Sequence, residues 1–200
     1  MEAAYDTIAV QFEARHGAMP SELRAAADRF LQQAGAGARV LDLGCGTGRD
    51  MAWLEALDAP VVGADLSMGM LARAKRRVGG LLAKMDMRTL GFQEDRFQGV
   101  WCNAAILHLP RAEASVALAE IQRVLTPGGT LFLSVQEGTG EGWETGPYGG
   151  VERFFARYNQ SEMETLLITC GFSVLERTST SAGERRWLSF LARPDGNWGT

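Results

Sequence analysis

The stretch VLDLGCGTGRD, which spans residues 40–50, decides the fold of this protein. Its first four residues are typical of a buried strand, and they lead into Gly44, Gly46 and Gly48. A strand that ends in closely spaced glycines before a helix is expected to leave backbone N–H groups free at its carboxyl end, where open parallel sheets bind ligands. Glycine is needed because a Cβ atom would collide with a ligand or force a disfavoured backbone angle. The stretch therefore predicts a ligand site at the edge of a parallel sheet.

Outward from this stretch, apolar strand-like runs alternate with amphipathic helical stretches, which predicts βαβ units and the α/β class. The predicted strands cover residues 39–43, 60–65, 81–86, 97–103, 130–135, 172–178 and 186–193. Predicted helices begin at Ser21, at Ser67, after Pro110 and at Ser161, where Ser161 and Glu164 form a capping-box pattern. We expect a single domain over residues 1–200, with an N-terminal helical cap at 1–34 and a core at 35–193.

The segment 138–150 interrupts this alternation with six glycines among thirteen residues. Neither a helix nor a central strand is expected in so glycine-rich a segment, because glycine loses the most backbone entropy on ordering. Long loops in compact domains are often lids or binding loops. The alternative is a plain flexible connector, and the sequence leaves both interpretations open.

The composition narrows the class of protein. The chain has 200 residues, 46% of them hydrophobic, and a net charge of −4, which argues against a disordered chain and against wrapping of nucleic acid by bulk charge. Three cysteines without a Cys-x-x-Cys pair disfavour a disulfide framework and a zinc site. The amino terminus lacks a signal pattern, and no apolar run approaches the ~18 residues of a membrane span. We expect a cytoplasmic protein with no metal and no membrane partner.

Three kinds of glycine-rich site compete for the 44–48 turn. A phosphate-binding P-loop requires a lysine after its last glycine, and none follows Gly48. A dinucleotide site requires Gly-x-Gly-x-x-Gly, and here the third glycine arrives one residue early. It also rarely tolerates an acid such as Asp42 near a pyrophosphate, whereas an acid suits a ligand that carries a cation.

Two further acids follow at the ends of the next predicted strands. Asp65 lies 21 residues after Gly44, where a carboxylate can accept hydrogen bonds from both hydroxyls of a ribose. Asp86 lies another 21 residues on, where it can accept from an adenine amino group while the amide of Met87 donates to the ring. Acids in succession at one sheet edge indicate a ligand with a ribose, an adenine and a cationic group but no phosphate, such as an adenosyl sulfonium. Each acid alone has a simpler interpretation as the cap of a turn.

These motifs together resemble the successive cofactor motifs of class I S-adenosylmethionine-dependent methyltransferases. Residues 97–109 resemble that family's fourth strand and following loop, and residues 125–131 resemble the turn into its fifth strand. The resemblance covers about residues 35 to 193. It implies a single methyltransferase domain with a Rossmann-like core, a doubly wound seven-stranded sheet of order 3-2-1-4-5-7-6 with the last strand antiparallel, and helices on both faces.

The resemblance also implies a cofactor and the residues that contact it. The cofactor is S-adenosylmethionine, and its product is S-adenosylhomocysteine. The positions that match the cofactor motifs are Asp42, Gly44, Cys45, Gly46, Gly48, Asp65, Leu66, Asp86, Met87 and Asn103.

Residues that face the methyl acceptor are less well specified by the sequence. His108, just after the predicted fourth strand, is a candidate general base, with a structural role as the alternative. Tyr158 is a second catalytic candidate that would orient an acceptor, and Arg153 or Arg157 would bind an anionic one. The segment 5–15 resembles an N-terminal segment that folds over the cofactor, although its aromatic residues could equally pack on the sheet edge.

We therefore expect methyl transfer to a small-molecule acceptor by in-line displacement. One alternative is a tRNA or protein methyltransferase, which the basic cluster at 73–77 raises and the acidic total charge disfavours. A second alternative is a non-catalytic S-adenosylmethionine-binding sensor or scaffold. A nicotinamide-dependent reductase is disfavoured by the glycine spacing and by Asp42.

Overall fold

A computed structural model of the protein describes residues 1–196. The helices are α1 (Glu2–His16), α2 (Ser21–Ala34), α3 (Arg49–Ala56), α4 (Met68–Ala74), α5 (Ala114–Val124) and α6 (Gln160–Thr169). The strands are β1 (Val40–Leu43), β2 (Val61–Asp65), β3 (Leu81–Lys84), β4 (Phe97–Asn103), β5 (Leu125–Gln136), β6 (Glu141–Thr145), β7 (Glu152–Ala156), β8 (Phe172–Ala182) and β9 (Arg185–Pro194). Two single 3₁₀ turns, Ile106–His108 and Arg111–Glu113, lie between β4 and α5.

Seven of the strands form one mostly parallel sheet in the order β3-β2-β1-β4-β5-β9-β8. Strands β1 to β5 pair in parallel, and β9 pairs antiparallel with both β5 and β8. The predicted α/β class is confirmed. The last two numbers of the predicted order differ because a separate two-stranded hairpin, β6–β7, is inserted between β5 and the remaining strands of the sheet.

Helices cover both faces of the sheet, because each buried strand sends alternate side chains to opposite sides. On one face Leu41 and Leu133 pack in a core with Leu118 of α5 and Leu167 of α6. On the other face the core includes Phe30 of α2, Met51 and Leu54 of α3, and Trp101 and Phe132 of the sheet. The rings of Trp101 and Phe132 stack with centroids 3.8 Å apart. All four residues of β1 are buried, which fixes the strand that leads into the glycine turn.

The segment predicted as a loop at 138–150 contains a strand. Residues 141–145 form β6, which pairs antiparallel with β7, and the ring of Trp143 packs edge-on against Phe154 across the pair. The prediction excluded a helix and a central strand for this segment, but it did not consider a strand at the periphery. A peripheral two-stranded ribbon tolerates glycines that would weaken a helix or a central strand.

The starts of α6 and β5 also differ from the predictions. The capping box of α6 uses Asn159 and Glu162: the Asn159 side chain accepts from the Glu162 amide at 2.9 Å, and Glu162 accepts from the Asn159 amide at 2.9 Å. The predicted cap at Ser161 is therefore wrong by two positions. Strand β5 begins at Leu125 instead of residue 130, with a register shift against β4 between Phe97 and Gly99.

The predicted N-terminal cap at 1–34 consists of two helices with different positions. Helix α2 belongs to a face of the sheet, whereas α1 lies against α4. Asp6 of α1 accepts hydrogen bonds from the Ser67 hydroxyl at 2.6 Å and the Gly69 amide at 2.7 Å. Ile8, Ala9, Met70 and Tyr148 form a third, small core that joins α1 to α4 and to the β6–β7 connection. Helix α1 is thus fixed as a cover over the carboxyl edge of the sheet.

None of the helices within residues 1–196 has the length and apolar character needed to cross a membrane.

Candidate active site

A cavity of about 680 Å³ lies at the carboxyl ends of β1 to β5. It includes the point between β1 and β4 where the strand order reverses, which is where open α/β sheets bind ligands. Its volume falls within the range of small-molecule sites. Helix α1 and the β8–β9 hairpin supply further walls. The predicted cofactor residues that line it are Asp42, Gly44, Cys45, Gly46, Asp65, Leu66, Asp86, Met87 and Asn103.

The glycine turn differs from the sequence expectation in one respect. The amides of Gly44 and Cys45 both donate to the carbonyl of Ala64, at 2.8 and 3.1 Å, and the Gly48 amide donates to the Cys45 carbonyl at 2.9 Å. The Gly46 amide donates to Asp65 Oδ2 at 2.9 Å. The expectation that the turn leaves these N–H groups free is therefore wrong. A turn whose amides are already partnered is poorly suited to a phosphate, which agrees with a ligand that contains none.

The three glycines of the turn serve different purposes, although all have positive φ. A Cβ atom on Gly44 would lie 2.3 Å from the Cβ of Ala105, so close packing requires glycine there. A Cβ atom on Gly48 would lie 3.2 Å from the Cα of Ala74 in α4, and Gly48 does not line the cavity. A Cβ atom on Gly46 would meet no protein atom within 4 Å. Gly46 is the glycine at which added atoms would take up open space beside the site.

Asp42 lines the cavity and has one buried carboxyl oxygen. The residue is 2% exposed, and its Oδ2 atom has no hydrogen-bond partner within residues 1–196. Burial, reinforced by the nearby Asp50 carboxylate, raises the pKa of Asp42 well above its usual value. A buried acceptor without a partner is unfavourable, so a cationic or donating group placed there would stabilise it.

Asp65 closes the turn from the end of β2. Its Oδ1 accepts from the Ser67 amide at 2.8 Å and its Oδ2 from the Gly46 amide at 2.9 Å. Burial raises the pKa of this carboxyl, although these hydrogen bonds oppose the shift. Two carboxylate oxygens offer about four acceptor positions, so Asp65 retains capacity for further donors.

Asp86 is engaged by a neighbour that the sequence analysis did not consider. The backbone amide and Nε of Arg88 each donate to Asp86 Oδ1 at 2.9 Å, and a second guanidinium nitrogen pairs with Oδ2. This pairing lowers the pKa of Asp86. Arg88 also pairs with Glu113 at 2.6 Å. Any contact between Asp86 and a ligand would therefore be shared with Arg88.

A polar network behind the turn was also missed. Asp50 is buried, and its Oδ2 accepts from Trp101 Nε1 at 3.0 Å and from Asn103 Nδ2 at 2.6 Å. Ser134 donates to Asn103 Oδ1 at 2.5 Å. The only sequence signal was an acid two residues after the last glycine, and the two partners of its Oδ2 on β4 lie 51 and 53 residues away. The network fixes Asn103 at the cavity wall.

His108 lies between two elements that cover the site. Its Nδ1 lies 2.7 Å from the Phe154 carbonyl, which accepts, so Nδ1 carries the proton. Its Nε2 lies 2.6 Å from the hydroxyl of Tyr5, which then donates to the ring. Burial lowers the pKa of His108 to about 4, so the ring is neutral near pH 7. Both residues line the cavity.

The second catalytic candidate, Tyr158, is placed elsewhere. It is 2% exposed and packs in the core on the α5–α6 face, with the guanidinium of Arg111 4.7 Å from the centre of its ring. It does not line the cavity. Its hydroxyl has no partner within residues 1–196. This position does not support a catalytic role for Tyr158.

Comparisons with known proteins find similarity to methyltransferases. Residues 40–129 match the family described as "Methyltransferase domain". The chain is 36% identical over 107 residues to methyltransferase GfsG of Streptomyces halstedii, which covers 50% of this chain and 38% of that protein. It is 33% identical over 156 residues to a demethylmenaquinone methyltransferase of Parafrankia sp. (strain EAN1pec), which covers 66% of this chain and 60% of that protein. The matches thus cover less than two thirds of the length of each of these relatives.

The fold is shared with solved methyltransferases. The structure of 1,6-didemethyltoxoflavin-N1-methyltransferase from Burkholderia thailandensis superposes with a TM-score of 0.76 at 23% identity, covering 96% of this chain and 88% of the other. The matched segment 40–129 contains the glycine turn and the ends of β2, β3 and β4, which form the ligand edge described above. Residues 40–129 of this chain thus match a methyltransferase domain, and the chain shares its fold with a solved methyltransferase.

Proposed function

We propose that this protein transfers the methyl group of S-adenosylmethionine to a small-molecule acceptor and releases S-adenosylhomocysteine. The observation that carries the proposal is the position of three carboxylates along one cavity. Asp42, Asp65 and Asp86 lie at or just beyond the ends of three adjacent strands, β1, β2 and β3, and all three line the cavity. The acids can bind a cationic nucleoside. Because the amides of Gly44, Cys45, Gly46 and Gly48 are already hydrogen-bonded, the glycine turn is better suited to a nucleoside that has no phosphate.

The residues present fit this cofactor. Asp42 has a buried oxygen without a partner, which suits the ammonium of the amino-acid portion. Asp65 would accept from the ribose hydroxyls, and Asp86, together with the Met87 amide, would bind the adenine edge. Gly46 leaves open space where a side chain would project. The bound cofactor supplies an electrophilic methyl group on a sulfonium, so the protein mainly needs to align a nucleophile with it.

Tyr5 and His108 would accept the proton that the acceptor loses. The Tyr5 hydroxyl can take a proton from an acceptor while its own proton passes to His108 Nε2, along the 2.6 Å hydrogen bond that already joins them. His108 is neutral in the resting site and so can receive a proton. A histidine with a pKa of about 4 is a weak base. It therefore suits an acceptor atom whose proton becomes acidic as the new bond forms.

The enclosure of the cavity supports a small acceptor. Helix α1 lies over the carboxyl edge of the sheet, and it is held there by Asp6 and by an ion pair between Glu13 and Arg73. Tyr148, from the β6–β7 connection, packs on α1 and bonds to His16 at 2.7 Å. The similar Burkholderia thailandensis enzyme was solved with 1,6-didemethyltoxoflavin and S-adenosylhomocysteine bound. A net charge of −4 disfavours a nucleic-acid acceptor.

Calorimetric titration with S-adenosylhomocysteine, with NAD as the competing dinucleotide, tests the proposal. We expect micromolar binding of S-adenosylhomocysteine and none of NAD. Asp65→Asn should weaken binding at least about tenfold, because a charged acceptor is lost from the ribose subsite. Asp58→Asn, an exposed position outside the cavity, is the matched control and should bind as the wild type does. Binding of NAD, or equal affinity in the two variants, would refute the assignment.

A further inference from the structure

The cavity contains a buried cation that the proposed cofactor site does not use. Arg153, on β7, is 6% exposed and lines the cavity. No carboxylate within residues 1–196 lies within 4.0 Å of its guanidinium, whereas Arg49, Arg88 and Arg157 each pair with an acid. Its Nε atom is buried and has no hydrogen-bond partner in the described part of the chain. Burying a charge without a counter-charge is costly, so an anion bound here would stabilise the guanidinium.

The neighbouring acid that could have neutralised Arg153 pairs with another residue. Glu144 stands directly opposite Arg153 in the β6–β7 pair. Its carboxylate instead forms an ion pair with Arg157, and one of the contacts is a 2.7 Å hydrogen bond from the Arg157 guanidinium. The sequence analysis named Arg153 and Arg157 as candidates for binding an anionic acceptor. Of these two, Arg157 forms an ion pair with Glu144, and Arg153 has no paired carboxylate within residues 1–196.

Aromatic rings surround the guanidinium of Arg153. It lies 4.8 Å from the ring centre of Tyr148, 4.9 Å from that of Phe155 and 5.9 Å from that of Tyr5. Its remaining polar contact is a long one, 3.4 Å, to the Tyr5 hydroxyl. Cation–π contacts offset part of the cost of burial but satisfy no N–H donor. The walls are apolar and flat, which suits a planar group.

These contacts also separate Arg153 from the proposed cofactor residues. Its hydrogen-bond and cation–π partners within residues 1–196, Tyr5, Tyr148 and Phe155, belong to α1, the β6–β7 connection and β7. Through Tyr5, Arg153 is connected to His108, which lies on the loop after β4. The anion is thus expected on the acceptor side of the cavity.

We propose that the methyl acceptor carries a carboxylate, which Arg153 binds through its guanidinium beside Tyr5 and His108. The inference rests on the proposed function and specifies its substrate class. The planar fork of arginine matches a carboxylate and binds it through two parallel hydrogen bonds. A doubly charged phosphate is disfavoured because Arg153 is the one buried arginine among the described residues of a cavity that also contains Asp42, Asp65 and Asp86. Arg185, which also lines the cavity and forms no ion pair within residues 1–196, is exposed to solvent.

The test uses two pairs of probes that differ in charge and little in shape: benzoate with benzamide, and hexanoate with hexanamide. Each is titrated into the protein, both alone and saturated with S-adenosylhomocysteine. We expect at least one carboxylate to bind at least about tenfold more tightly than its amide. Arg153→Met should abolish that preference and leave the affinity for S-adenosylhomocysteine within twofold. Arg153→Lys, which keeps the charge without the fork, should bind the carboxylate with intermediate affinity.

Arg177→Met serves as the matched control, because Arg177 is a surface residue that pairs with Glu164 and does not line the cavity. It should retain the preference for the carboxylate. Retained S-adenosylhomocysteine binding in each variant also shows that it folds. The inference is overturned if the wild type binds neither carboxylate more tightly than its amide. It is also overturned if Arg153→Met weakens the binding of S-adenosylhomocysteine as strongly as it weakens the binding of the carboxylate. Failure of the wild type to bind S-adenosylhomocysteine would instead overturn the proposed function, since the carboxylate titration of the free protein is read independently.

Discussion

The hydroxyl of Tyr5 donates a 2.6 Å hydrogen bond to Nε2 of His108, and the two residues are 103 positions apart in the chain. The bond joins the N-terminal helix to the loop after β4. Burial raises the pKa of Tyr5 to about 12 and lowers that of His108 to about 4, so the pair is neutral across the physiological range. Because both side chains are neutral, the pair can pass a proton from Tyr5 to His108 without a buried charge having to be present before the reaction.

This bond should appear as a coupling energy in a double-mutant cycle. Tyr5→Phe removes the hydroxyl and keeps the ring, and His108→Asn keeps a donor for the Phe154 carbonyl. We expect the two substitutions to couple by ~1 kcal/mol in the free energy of unfolding, measured with urea. Tyr158→Phe is the matched control, because the Tyr158 hydroxyl has no partner within the described chain. Equal coupling of both tyrosines to His108 would rule out the specific bond.

The lowered pKa of His108 should make stability depend on pH. Below pH 6.5 the unfolded chain protonates this histidine, whereas the folded chain does so only near pH 4. The stabilisation from the neutral ring is therefore complete above pH 6.5 and is lost as the pH falls toward 4. When the pH falls from 7 to 5, the protonation of this histidine alone should lower the free energy of unfolding of the wild type by ~2 kcal/mol. In urea unfolding, the free energy of unfolding of His108→Asn should fall by that much less than the wild type's between pH 7 and pH 5. An identical fall in the two proteins would contradict the burial of the ring.

Gly46 and Gly48 should respond differently to the same substitution. Alanine at either position adopts a positive φ, which costs ~1–2 kcal/mol. Gly48→Ala also crowds Ala74 of α4, so it should lower the melting temperature further and yet retain S-adenosylhomocysteine binding. Gly46→Ala meets no protein atom, so its main effect should be weaker ligand binding. Calorimetry and thermal unfolding of both variants check this, and the reverse pattern would exchange the roles of the two glycines.

Local sequence was sufficient to predict much of the fold. The strand β4 was predicted at its observed bounds, 97–103, and the strands on either side of the glycine turn were predicted to within a residue at their amino ends. Buried apolar runs and glycine turns are properties of neighbouring residues, so they are visible in the sequence. The β6–β7 ribbon was missed because glycine-rich edge strands lack the alternation that identifies a strand.

The candidate site was predicted only in part, for a related reason. Nine of the ten residues expected to contact the cofactor line the cavity, and the exception, Gly48, packs against α4. Those nine lie at or just beyond the carboxyl ends of β1 to β4, and a parallel sheet brings these ends to one edge whatever the details of packing. Tyr158 was placed near the acceptor on sequence position alone, and the chain turns it into the core.

The sequence by itself determined the alternation of strands and helices, the glycine turn and the row of acids at Asp42, Asp65 and Asp86, because each is encoded within a short segment. Only the tertiary structure decided that Tyr5 meets His108, that Asp50 binds Trp101 and Asn103, and that Glu144 pairs with Arg157 and leaves Arg153 without a counter-charge. The first two are contacts between residues 51 to 103 positions apart. The third is a choice between two nearby cations that depends on side-chain packing. The energies of such contacts depend on burial and geometry that no short segment of sequence specifies.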